Sequence, residues 1–176
     1  MPIDRAIIVE HLRNASTAAH TDAQGHAYEK LAGYVFEQVP GCRVESNVIN
    51  NFRTEQVDVA VGNDRLAHGL PILPSVFLVE CNDWSNPVDS KTVGYCFNIL
   101  AGRGVELGVL VAANGITGQE DMLHAASLGF AAAPRGVKLI VITSKDLTNL
   151  TSTEDFIELM SRRYLRAVAS GTIGLP

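Results

Sequence analysis

Three short β-like runs, at residues 42–49, 57–61 and 76–81, follow one another with no helical pattern between them. This order limits the fold more than any other feature of the chain. A doubly wound domain alternates strand and helix, so three adjacent strands argue against an α/β small-molecule enzyme of that type. Helical patterns bracket the trio instead. Upstream, residues 4–19 predict a helix with Asp4 as N-cap, an Ile3–Ile8 staple, and Ile8, Leu12, Ala15 and Ala19 on one face. A Thr21-x-x-Gln24 capping box opens a second helix to about residue 39, with Tyr28, Leu31, Val35 and Val39 inside and Pro40-Gly41 as its stop.

Between the second and third runs, residues 62–75 hold Gly62, Gly69, Pro71 and Pro74, which predicts an irregular connection. A helix starts near Ser90 and buries Val93, Phe97 and Leu100. The apolar run Leu107-Gly-Val-Leu-Val-Ala-Ala113 reads as a strand covered on both faces. Asn114-Gly-Ile-Thr-Gly118 predicts a tight turn, and Thr117-x-x-Glu120 a capped helix after it. Residues 137–143 are expected to form the last strand. Thr151-x-x-Glu154 then opens a terminal helix with Ile157, Met160, Tyr164 and Val168 on one stripe. From the second helix onward the order is α-β-β-β-α-β, which predicts an α/β fold with a mixed central sheet flanked by helices. One domain is expected over residues 1–176, with an N-terminal helix in 1–23, a core over 24–143 and a C-terminal helix in 150–170.

Composition narrows the class. Nearly half of the 176 residues are apolar, so an ordered core is expected. No apolar segment approaches the ~20 residues that span a bilayer, and the start of the chain lacks the pattern of a signal peptide. A cytoplasmic protein without membrane contact is the expectation. Cys42, Cys81 and Cys96 lack zinc-ligand spacing and read as buried free thiols. A net charge of −5 argues against a generic, charge-driven nucleic-acid binder. It leaves room for a nuclease, because bound Mg²⁺ and local basic strips offset phosphate repulsion.

Two acids stand where a metal site would be built. Asp58 lies within Val57-Asp-Val-Ala-Val61, and Glu80 ends the apolar run of Val76-Phe-Leu-Val-Glu-Cys-Asn-Asp-Trp-Ser85. Carboxylates at the ends of neighbouring strands supply the hard oxygens that a divalent cation prefers. Singly, each acid reads as an ordinary surface residue; together, in this element order, they read as a site.

With these residues the chain resembles the PD-(D/E)xK nucleases of the restriction-endonuclease-like fold, whose core has the same αβββαβ order. Val79-Glu-Cys-Asn-Asp-Trp-Ser85 is similar to the Val-Glu-Cys-Lys-Asn-Trp-Ser segment of one bacterial group, and the likeness extends from about Gly25 through Thr143. The resemblance implies a metal-dependent endonuclease acting on DNA, or on RNA, in restriction, defence or repair, working as a homodimer because one site cuts one strand. It implies Asp58, Glu80 and the carbonyl of Cys81 as ligands of Mg²⁺ or Mn²⁺, with Glu29 as a further metal-binding or orienting acid on the second helix.

The motif lysine is replaced by Asn82. Asparagine hydrogen-bonds water but carries no charge, and Asp83 adds a negative one. Three expectations follow: Lys91, at the start of the next helix, substitutes; Asn82 suffices with the metal; or the chain is a pseudo-nuclease that only binds nucleic acid or protein. Lys91 taken alone reads as a solvated first-turn lysine. Two weaker features remain. Asn114-Gly-Ile-Thr-Gly118 leads into a helix start, a natural anion site that is more simply a structural turn. Arg162, Arg163 and Arg166 form either a basic patch or the solvated face of a terminal helix. His20 and His26 read as surface residues.

Overall fold

The computed structural model describes residues 2–49, 56–82, 86–116, 136–171 and 173–174. Two helices, α1 (Arg5–Thr17) and α2 (Thr21–Glu37), precede a meander of β1 (Cys42–Ile49), β2 (Gln56–Asn63) and β3 (Val76–Asn82). Helix α3 (Ser90–Gly102), strands β4 (Leu107–Ala112) and β5 (Lys138–Ile142), helices α4 (Ser144–Thr148) and α5 (Thr153–Ser170) and the two-residue strand β6 (Ile173–Gly174) follow. The six strands form one mixed sheet in the order β1-β2-β3-β4-β5-β6. β1, β2 and β3 pair antiparallel, and β3, β4, β5 and β6 run parallel. The strand expected at 137–143 is therefore not the last one. The helix expected after Thr117 and the segment 83–85 lie outside the described residues.

Alternation along the strands divides the core into two layers. Val59, Val61, Val79, Val109, Val111, Ile140 and Ile142 pack with α1, α2 and α5 on one face. Leu78, Leu110, Ala112, Leu139 and Val141 pack with α3 on the other. Every residue of β4 is buried, as a strand covered on both faces requires. No described helix is long and apolar enough to cross a membrane.

Several local expectations are corrected. Helix α1 ends at Thr17, leaving Ala19 exposed beyond it. Thr21 is the first residue of α2 rather than its cap; His20 takes that position and makes no side-chain cap bond. The terminal helix is capped one residue later than predicted, by a Ser152–Asp155 box, and its buried stripe is Phe156, Met160, Arg163 and Ala167, with Val168 exposed. The 62–75 connection is irregular but not superficial. Leu70 and Leu73 are fully buried, and Asn63 Nδ2 donates to the carbonyls of Leu70 and Pro74 at 2.9 and 3.1 Å. Gly69 is required there, since a Cβ would stand 2.2 Å from the Pro40 carbonyl oxygen.

Candidate active site

The β2–β3 ladder stops at the pair Val59–Val79. One residue further along, the side chain of Asp58 takes over from the main chain: its Oδ2 accepts from the Cys81 N–H at 2.7 Å. β2 is twisted at this point. Val57 joins the cluster beneath α3, whereas Val59 and Val61 belong to the cluster beneath α2. The neighbouring strand is bent at the same level, with Asn47 of β1 at φ 57° and no ladder pair between it and Asp58. The sheet forks here, and a carboxylate is held in the fork.

Alternation on β3 puts Phe77, Val79 and Cys81 toward α2, and Leu78, Glu80 and Asn82 toward α3. Glu80 is half-buried, with its Oε1 shielded from solvent. Its charge reaches Cys96 on α3, where burial first and Glu80 second push the thiol up to about 12. Of the other thiols, Cys81 is buried as expected, while Cys42 is only half-buried.

Glu29 approaches from the α2 side. Its side chain is 12% exposed, and its Oε2 accepts from His26 Nδ1 at 2.9 Å. That bond raises the imidazole above its usual value. Burial is the main reason that Asp58 rises to about 6; the Cys81 N–H opposes the shift, Glu29 adds to it and His26 opposes it. Asp58, Glu29 and Glu80 also act together on the Cys81 thiol, after burial, to hold it well above its ordinary value. Three acids from three elements thus converge electrostatically on the end of β3.

The parallel β3–α3–β4 connection returns the chain along the sheet, so the first turn of α3 stands at the carboxyl end of β3. Lys91, exposed in that turn, shares an edge and a face with Glu80 and Asn82, and its charge is felt by the N-cap Asp89. Arg163 is not part of a surface patch. It is 4% exposed, and its guanidinium donates to the Val141 carbonyl at 2.7 Å and to Asp146 Oδ1 at 2.8 Å. Arg162 pairs with Glu158 on the same helix. The His26–Glu29 bond was not anticipated, although its i,i+3 spacing on a helix is the signal for it.

Among the described residues, no three His, Cys, Asp or Glu side chains come within reach of one metal ion. The donor set still fits a hard divalent cation. Mg²⁺ is usually held by one or two carboxylates and keeps several waters.

The mixed six-stranded sheet flanked by helices is consistent with a restriction-endonuclease-like fold. The chain belongs to the restriction endonuclease family Mrr_cat, which matches residues 21–151, leaving α1 and α5 outside the matched span. No curated protein matches the chain.

Proposed function

We propose that this protein is a metal-dependent endonuclease that hydrolyses phosphodiester bonds of DNA in restriction, defence or repair. The observation that carries this reading is the carboxylate of Asp58, held in a sheet fork by the Cys81 N–H, desolvated, and facing the field of Glu29, with Glu80 joining both acids in acting on Cys81. Asp58, Glu80 and the Cys81 carbonyl would hold Mg²⁺ or Mn²⁺. When bound, the cation would offset charge at the phosphoryl centre and make water a better nucleophile. The chain's own residues do the rest. The Cys81 N–H fixes the Asp58 carboxylate in place. Asn82 orients water by hydrogen bonding, and Lys91 brings positive charge to the phosphate from the start of α3. Glu29 acts as an orienting acid, occupied by His26 and sharpening the negative field at Asp58.

Cleavage of supercoiled plasmid, linear duplex and single-stranded DNA with Mg²⁺ or Mn²⁺ tests the proposal. The wild-type chain is expected to cut only with metal, and Asp58→Ala to lose cutting while remaining folded by circular dichroism. A folded wild-type chain that cuts nothing in any condition refutes catalysis and leaves the pseudo-nuclease reading, for which Asn82 in place of the motif lysine is the supporting observation.

A further inference from the structure

A crevice of about 510 Å³ opens at the carboxyl ends of β4 and β5. We propose that it is a subsite for one nucleotide of a DNA strand, with Lys145 on its phosphate. This rests on the nuclease reading and extends it to residues outside the Asp58–Glu80 region.

Position is the first argument. β3, β4 and β5 run parallel, so the crevice lies on the sheet edge that carries Glu80 and Asn82. Two strand spacings separate it from the end of β3, on the order of 10 Å, which is within reach of a neighbouring nucleotide on one strand. A hydrogen bond ties the two places together. Tyr28, adjacent to Glu29, shares a 2.8 Å hydrogen bond with Ser144, adjacent to Lys145.

Charge is the second. Arg163 and Asp146 both line the crevice, but each is committed elsewhere. Arg163 is bonded to Val141 and Asp146. Asp146 Oδ2 accepts from Thr143 N and Oγ1 at 2.9 and 2.8 Å, and its Oδ1 accepts from Arg163. With that pair closed on itself, exposed Lys145 sets the sign of the crevice.

Shape and donor chemistry are the third. The volume falls within the range of about 300–1,000 Å³ usual for small-ligand sites, with room for a base and its sugar. Asn149 on the lining carries an amide donor and acceptor, the complement of a base edge.

The test measures binding of short labelled single-stranded and duplex DNA to the full chain, with Ca²⁺ replacing Mg²⁺ to prevent cutting. Lys145→Gln is compared with Lys138→Gln, which removes the same charge at the opposite end of β5. Lys145→Gln is expected to weaken binding several-fold near 50 mM salt and to reduce the slope of log K against log salt by about 0.9, the contribution of one phosphate. Lys138→Gln should leave the slope unchanged. Wild-type binding with equal slopes for the two variants overturns the subsite and leaves the nuclease proposal standing. Absence of DNA binding and of cutting by the wild-type chain overturns both. A free deoxynucleoside monophosphate that binds through Lys145 when strands do not would reassign the crevice to a small nucleotide, and overturns the strand subsite.

Discussion

Asp58 is held in a place that disfavours its own charge. Burial raises it to about 6 against an ordinary 3.8, so between those pH values the folded chain binds a proton that the unfolded chain has released. Stability therefore falls as pH rises through this window, with the full cost present above about pH 6 and none below the unfolded value. Asp58→Asn keeps an oxygen for the Cys81 N–H and removes the charge. It should stabilise the fold by up to about 3 kcal/mol at pH 8, less where water screens the partly exposed carboxylate, with the gain shrinking toward pH 4. Urea denaturation of both proteins at the two pH values measures it, and equal or lower stability of the variant at pH 8 would contradict the burial argument. A group that costs stability where it stands is expected where function imposes the arrangement.

Helix α5 is fastened by a buried cation. Arg163 reaches the Val141 carbonyl on β5 and Asp146 on α4, joining three elements. Arg163→Ala strands a half-buried carboxylate and a buried carbonyl, and should lower stability by roughly 3 kcal/mol or more; thermal unfolding of the variant checks this. Nothing in the residue pattern marks Arg163 as internal, because arginines default to the surface and the apolar residues of α5 allow two neighbouring stripes. The cap was ambiguous for a similar reason. Thr151 and Ser152 both begin plausible boxes, and the Asp155 carboxylate in fact accepts from both residues. Strand β6, at two residues, is too short to leave an alternating pattern. The long apolar strand β4 and the stop at Pro40-Gly41 were legible because they depend on chemistry local to the chain.

At the scale of the whole molecule, the antiparallel meander and the parallel half of the sheet meet at β3, and the proposed chemistry gathers at its carboxyl end. The three acids that converge there could be nominated from the linear chain, since each sits at a recognisable place in an αβββαβ order. Their joint field on Cys81, the His26 partner and the fork itself could not, because these depend on where β2 and β3 part. If the acids hold a cation, binding must couple to folding. With an affinity near 1 mM, about 10 mM Mg²⁺ would add roughly 1.4 kcal/mol, a melting rise of about 3–5 °C for a chain of this length. Differential scanning fluorimetry should show the rise in the wild type and not in Asp58→Ala; an equal rise in both would place the cation elsewhere.

The bond that fixes Asp58 has one more consequence. Its donor is a main-chain N–H, which every residue except proline supplies at position 81. The side chains around it are thus free to drift without loosening the anchorage. A substitution at position 82 therefore leaves the anchorage of Asp58 in place, and the folded domain does not depend on which side chain stands beside it.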